Sequence, residues 1–330
     1  MRLLVTGGLG FIGSNFIQKL LSENSHLEIL NVDAELDGSN QKNLENLKDL
    51  ENYEFVKGNI SNKALMEEHI SKCDAVVNFA AQSHVDRSIN DANPFLISNI
   101  RGAFTILDIV TKQQKRMVQV STDEVFGSLS EGTATEQSRF NPSSPYAATK
   151  ASAELIINSY CVTHNSNVVI TRCTNNYGPR QFAEKLIPKT IILANQNKKI
   201  PIYGNGMNVR DWIFVDDHCN ALSLALLEGK KGESYNISAN NETDNITIVK
   251  KILDIMNKSE DLIEYVEDRP GHDFRYSMNS KKITDELSWK IKSSFEDGLE
   301  KTIQWYYDNP EIMNNVTTEI LDPTPWKSSN

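Results

Sequence analysis

The sequence has no cysteine pair in CxxC spacing, no long apolar run and no basic stretch. Its four cysteines (Cys73, Cys161, Cys173 and Cys219) do not combine with histidines in any zinc-ligand spacing. No metal is therefore expected, and the thiols read as free groups in a reducing compartment. The longest apolar runs, such as 74–81, are strand-length. A bilayer span needs ~20 apolar residues, so no membrane segment is expected. The first residues enter a strand-like run directly, without a basic and apolar leader. This reads as a cytoplasmic protein. Formal net charge is −10 over 330 residues. A nucleic-acid partner would require a basic face, which this chain lacks. An anionic substrate stays possible, because local Arg and Lys can hold phosphate inside an acidic protein.

The chain does have a regular alternation. Strand-like runs at 2–6, 28–33, 53–57, 75–80, 117–121 and 168–172 are separated by helical patterns, notably 11–22, 95–111 and 146–163. Strand and helix in alternation give a parallel sheet covered on both faces. The expected fold class is α/β, a Rossmann-type doubly wound parallel sheet with a smaller C-terminal α/β substrate domain. Its ligand crevice lies at the carboxyl ends of the strands. After about residue 175, connections lengthen and carry Pro and Gly. The expected division is 1–175 plus about 208–236 for the first domain, with 176–207 and 237–330 for the second. The residues 322–330 read as a loose tail.

Gly7, Gly10 and Gly13 fall between the first strand and the first helix. Glycines at this spacing allow a tight turn and close backbone approach to a pyrophosphate at the helix N-terminus. Asp33 ends the second strand, where an acid accepts from a ribose diol and disfavours a 2′-phosphate. The cofactor expected is NAD. Tyr146 and Lys150 stand at i and i+4 and share a helix face. A nearby ammonium favours the phenolate, so the pair reads as proton-transfer machinery. Thr122, Asp123 and Glu124 follow a strand at its carboxyl end. Two adjacent carboxyls there are crowded enough to push their pKa values apart, leaving one as acid and one as base.

These residues carry a resemblance. The stretches Ser121-Thr-Asp-Glu-Val-Phe-Gly127, Ser83-His-Val-Asp-Arg-Ser88, Arg172-Cys-Thr-Asn-Asn-Tyr-Gly-Pro179, Glu184-Lys-Leu-Ile-Pro188, Asn208-Val-Arg-Asp-Trp212 and Asp268-Arg-Pro-Gly-His272 resemble the extended short-chain dehydrogenase/reductases. Within them the chain looks like the dTDP-glucose 4,6-dehydratases and their UDP-sugar relatives. The resemblance implies an internal redox cycle ending in a 4-keto-6-deoxy sugar, with tightly bound NAD regenerated each turnover. Tyr146 takes the proton of the C4 hydroxyl, Thr122 binds the C4 oxygen, and Lys150 tunes Tyr146. Glu124 removes the C5 proton and Asp123 protonates the departing 6-hydroxyl. It also implies NAD contacts at Phe11, Ile12, Asn59, Ile60, Ala80, Ala81, Ser98 and Asn176. Nucleotide-sugar contacts are implied at Ser83, Asn175, Lys185, Leu186, Pro201, Tyr203, Arg210, Asn245, Arg269 and His272. Homodimerisation through the helices at 95–111 and 146–163 is implied as well.

The chain departs from the family's pattern at three places. Phe126 stands where Tyr is usual, Asn59 where Asp is usual, and Gln82 where bacterial dTDP-glucose enzymes commonly have Glu. The stretches 79–82 and 302–310 look more like eukaryotic UDP-glucose dehydratases leading toward rhamnose. The nucleobase and the C2 substituent (hydroxyl or N-acetyl) therefore stay open. The alternatives are a dehydratase with added C5 epimerisation, a nucleotide-sugar 4-epimerase, and a cofactor-binding module without activity. The epimerase leaves Asp123 and Glu124 without a task, and the binding module leaves Tyr146 and Lys150 without one.

Overall fold

The computed structural model describes residues 1–314, 316–317, 320–322 and 324–327. Seven strands form one parallel sheet. They are β1 (Arg2–Thr6), β2 (Glu28–Asp33), β3 (Tyr53–Lys57), β4 (Ala75–Asn78), β5 (Arg116–Thr122), β6 (Val168–Cys173) and, later in the chain, β10 (Ser234–Ile237). Their order across the sheet is β3-β2-β1-β4-β5-β6-β10. Every residue of β4 and of β6 is buried, as strands covered on both faces must be. The order reverses between β1 and β4, which opens a crevice at their carboxyl ends.

The covering helices are α1 (Phe11–Glu23), α2 (Lys63–Ser71), α3 (Val85–Asn90), α4 (Asn93–Phe95), α5 (Ala103–Lys112), α6 (Pro145–His164), α7 (Leu186–Asn195) and α8 (Val215–Leu227). One apolar cluster joins α1 and α8 to one face of the sheet through Phe16, Ile17, Cys219 and Leu222. The other face packs α2, α5 and α6 through Met66, Ile106, Val110 and Ile157. The single helix expected over 95–111 is interrupted. Between α4 and α5, residues Leu96–Gly102 form a π-helical segment. Its Asn99 Nδ2 donates to the Gln82 carbonyl and to Thr149 Oγ1 of α6. Apolar periodicity does not distinguish that wider turn from an α-helix.

The second lobe has its own apolar cluster, centred on Ile191, Trp212, Phe214, Ile252 and Leu299. Two small sheets belong to it. One is β7 (Asn175–Tyr177), β9 (Val209–Phe214) and β11 (Glu242–Asp244), and the other is β8 (Ile200–Tyr203) beside β12 (Ile263–Val266). Helices α9 (Asn245–Ile255), α10 (Lys281–Leu287), α11 (Phe295–Asp308) and α12 (Pro310–Asn314) complete the chain. The chain thus crosses back: β9 joins a small sheet, while α8 and β10 return to the large one. The tail expected to be loose is ordered where it is described. Residues Pro325–Lys327 make a 3₁₀ turn, and the Trp326 ring meets Tyr203 edge-on at 4.9 Å. Residues 323 and 328–330 lie outside the described residues.

Candidate active site

A cleft of about 310 Å³ runs across the carboxyl ends of the central strands. Its floor begins at the β1–α1 turn. Gly7 has φ +71, and a Cβ on it would lie 2.6 Å from the Ala80 backbone nitrogen. Only glycine permits that approach. Helix α1 starts with no side-chain cap, so its first N–H groups point at the cleft without a competing acceptor. Asp33 lines the same wall. Its carboxylate accepts from Leu9 N at 3.0 Å, Glu35 N at 2.8 Å and Ser39 Oγ at 2.8 Å. Asn59 Oδ1 accepts from Ser61 N and Ser61 Oγ at 2.9 and 2.8 Å, so it builds the turn that lines the far end. All the residues expected around the cofactor lie on this one surface: Gly7, Gly10, Phe11, Ile12, Gly13, Asp33, Asn59, Ile60, Ala80, Ala81, Ser98, Tyr146, Lys150 and Asn176.

At the other end, β5 ends on Thr122 and passes directly into a turn that carries Asp123 and Glu124, and α6 delivers Tyr146 and Lys150. Ser144 caps α6 by accepting from Ala147 N at 3.1 Å, and Pro145 takes the first turn, where its missing N–H costs nothing. Thr122 Oγ1 donates to Asp123 Oδ1 at 3.1 Å and accepts from Glu124 N at 3.3 Å. Both carboxyl groups are deeply enclosed, and Asp123 Oδ2 and Glu124 Oε2 have no hydrogen-bond partner among the described residues. Burial, then the charge of Glu124, pushes the Asp123 carboxyl up to about 8. Burial raises Glu124 too, opposed by the positive charges of Arg269, Arg210 and Lys185. Burial lowers Lys150 to about 8, opposed by Glu154, and its Nζ donates to the Val120 carbonyl at 2.7 Å. Burial and the Glu124 charge hold the Tyr146 hydroxyl well above its usual range, partly offset by a hydrogen bond with Thr122. That shift is opposite to the one the Tyr/Lys spacing implied, because burial and the neighbouring acids outweigh the ammonium, which donates to a backbone carbonyl.

Of the expected substrate contacts, Ser83, Thr122, Asn175 and Lys185 line the cleft, and Lys185 Nζ donates to the Ser83 carbonyl at 3.0 Å. Leu186, Pro201, Tyr203, Arg210, Asn245, Arg269 and His272 do not line it. They belong to the second lobe, and two of them, Tyr203 and Arg269, reach Asp86 of α3 in the first. Arg210 donates to the carbonyls of Val209, Phe274 and Asp273 and lies 4.3 Å from the centre of the Tyr276 ring. Arg269 pairs with Asp86 at 2.6 Å, and Tyr203 Oη donates to the same carboxylate at 3.1 Å. His272 Nδ1 meets Asp268 at 2.6 Å, while the Asn245 backbone N–H donates to Asn208 O at 3.1 Å. Leu186 opens α7 and Pro201 lies in β8. The sequence reading assigned no role to Arg87, Glu184 or Cys173, which do line the cleft. All three lie inside the motif stretches named above, which was the available signal. Arg87 pairs with Asp37 and, at 3.2 Å, with Glu184.

The family model described as GDP-mannose 4,6 dehydratase matches residues 4–302. The chain belongs to this 4,6-dehydratase family. It is similar to the low-salt glycan biosynthesis protein Agl12 of Haloferax volcanii, with 46% identity over 94% of this chain and 100% of that protein. It is similar to the dTDP-glucose 4,6-dehydratase of Streptomyces niveus, with 43% identity over 94% of each chain. The crystal structure of dTDP-glucose 4,6-dehydratase from Bacillus anthracis in complex with NAD superposes with a TM-score of 0.89, at 45% identity over 94% of this chain and 98% of that one. In this dehydratase the glycine turn, the uncapped α1 and the acid-lined second strand together fit a dinucleotide.

Proposed function

We propose that this protein is an NAD-dependent nucleotide-sugar 4,6-dehydratase whose substrate is dTDP-glucose. The observation that carries the reading is the enclosed Asp123/Glu124 pair facing Tyr146 and Lys150 across one cleft. The relatives' dTDP-glucose activity supports the nucleobase. NAD, when bound, supplies the hydride acceptor and donor and a positively charged ring that favours the Tyr146 phenolate. Tyr146 takes the proton of the sugar C4 hydroxyl, with Thr122 on the C4 oxygen. The resulting ketone acidifies C5–H. Glu124, whose charge is favoured by the arginines and Lys185, removes that proton. Asp123, held protonated at neutral pH, gives its proton to the departing 6-hydroxyl. Epimerisation at C4 gives neither carboxyl a task.

The substrate's phosphates fall to three positive side chains, Lys185, Arg210 and Arg269. The division into two lobes, 1–175 plus about 208–236 and 176–207 with 237–330, is part of the same reading, and the separate apolar cluster around Ile191, Trp212 and Ile252 supports it. No helix among the described residues is long and apolar enough to cross a membrane. The four unpaired thiols support a cytoplasmic setting. A homodimer is part of the same reading.

The test is mass spectrometry of the purified protein incubated separately with dTDP-glucose, UDP-glucose and UDP-N-acetylglucosamine. Loss of one water from dTDP-glucose is expected. Water loss from a UDP-sugar alone would overturn the nucleobase, and an unchanged mass with an inverted C4 would overturn dehydration.

A further inference from the structure

Arg172 is among the largest fully buried side chains of the protein, and no step of the proposed chemistry uses it. It lies on β6, a strand below the cleft. Its Nε donates to both Glu154 oxygens at 3.2 and 2.9 Å, and its terminal nitrogen donates to Glu154 Oε2 at 2.7 Å. The two side chains are 2% and 0% exposed. Weaker contacts at 3.4 Å reach Asn236 Oδ1 and Ser234 Oγ of β10. The guanidinium also lies against two rings, 5.1 Å from the centre of Phe126 and 5.2 Å from that of Phe140. Those rings meet each other edge-on at 5.9 Å.

The partners of Arg172 come from three places that matter. Glu154 is one turn beyond Lys150 on α6, the helix that carries Tyr146. Phe126 closes the short 3₁₀ turn Asp123–Phe126, which carries the acid pair. Phe140 lies in the loop that leads into α6. The turn is also held by Thr122 Oγ1, which accepts from Glu124 N, and by Val125, which is buried among Ala134, Ala151 of α6 and Met278. Asn141 N donates to the Val125 carbonyl at 3.0 Å, and Gly127 leaves the turn at φ +69, where a Cβ would be 2.0 Å from the Asn141 carbonyl oxygen. A buried ion pair adds little net stability, but a planar fork with a carboxylate on its edge and rings on its faces fixes geometry.

We propose that Arg172 is a positioning residue, which sets the acid turn 123–126 in register with the Tyr146/Lys150 helix. The proposal rests on the roles assigned above. The Phe126 ring serves as one of the two aromatic faces for the guanidinium. This positioning also separates the two halves of the reaction. Oxidation at C4 depends on Tyr146 and Lys150 of α6 with Thr122 at the end of β5, whereas water loss depends on Asp123 and Glu124 of the turn, so a small misplacement of the turn slows the second more than the first.

Arg172→Lys keeps the charge and loses the fork. A double variant, Arg172→Met with Glu154→Leu, leaves no orphan charge and should fold. Both are expected to retain bound cofactor and to oxidise the sugar. Both should then stall, with reduced cofactor accumulating by absorbance and water loss slowed at least ~10-fold. Hydrogen exchange of the peptide covering 122–127 should speed up in both variants without any sugar present, while that of α1 stays unchanged. Equal loss of oxidation and water elimination, or wild-type exchange in the turn, would overturn the proposal. If the wild-type protein itself removes water from no nucleotide sugar, the functional reading fails, and the exchange measurement still decides whether Arg172 holds the turn.

Discussion

Asp123 and Glu124 are neighbours in sequence and carry opposite tasks because their surroundings differ. Glu124 is faced by three cationic side chains, and Asp123 is faced chiefly by Glu124. Glu124→Gln removes the base and leaves Tyr146 and Lys150 intact. Water loss should fall by ~10²–10⁴-fold, the usual contribution of general base catalysis, while C4 oxidation continues and reduced cofactor builds up. Mass spectrometry with absorbance reads both, and water loss at the original rate would move the base elsewhere. The acid has a pH signature. Asp123 holds its proton up to about 8 in the folded chain and releases it near 3.8 when unfolded. Between those values the folded state binds the extra proton, so stability falls as pH rises through the window. Lys150 acts above it. With a folded value of about 8 against 10.5, the unfolded state binds more protons there, and stability recovers as pH rises further. Thermal unfolding from about pH 5 to about pH 8 should show a declining midpoint that Asp123→Asn flattens. A parallel decline in both proteins would mean that Asp123 is already ionised. Elimination itself should weaken above about pH 8, as the acid loses its proton.

Among the elements, the best-read parts of the sequence were those whose chemistry is local. The β1–α1 turn declares itself because glycine spacing, strand end and helix start fall within eight residues. Helix α6 does so because Ser144, Pro145, Tyr146 and Lys150 are a cap, a first turn and an i,i+4 pair. What the sequence hid depends on distant partners. Arg172 and Glu154 read as ordinary charges on a strand and a helix until the fold buries them together. The π-helical segment keeps the apolar rhythm of an α-helix, so only Asn99 reaching both Gln82 and Thr149 reveals it. Arg210 and His272 read as substrate contacts, and the sequence does not reveal the partners that hold them, the Asp273 carbonyl and the Asp268 carboxylate. The cap of α6 is a separate test of the element. Ser144→Ala leaves the Ala147 N–H without its acceptor and should cost about 1 kcal/mol, seen as a lower unfolding midpoint. Because the cap lies two residues before Tyr146, activity should fall less than ~10-fold, as expected for a positional effect of that size. An unchanged midpoint would show that Pro145 alone holds the helix start.

Over the whole molecule, the apolar surface is unevenly placed. Large exposed hydrophobic side chains recur on two adjoining elements: Ile97 and Phe104 at seven-residue spacing, and Leu155 and Val162 at the same spacing on α6. Leu155 is 60% exposed and Val162 85%. Phe104 meets Tyr160 edge-on at 5.9 Å, which joins the two stripes into one patch. Contiguous apolar patches of this kind suit an interface, and the two helices from each of two copies would cover it about a twofold axis. The patch lies on the outer side of the helices whose inner sides hold Asn99, Tyr146 and Lys150. Dimerisation would therefore brace the cleft without entering it. Leu155→Glu with Phe104→Glu places two carboxylates in the patch of each copy and four across the axis. Sedimentation or light scattering should show a dimer for the wild type and a monomer for the double variant. The monomer should unfold at lower temperature and lose cofactor more readily, because α5 and α6 then lose the partner that covers them. A double variant that stays dimeric would place the interface on another face, and a monomeric wild type would leave this patch for a different partner.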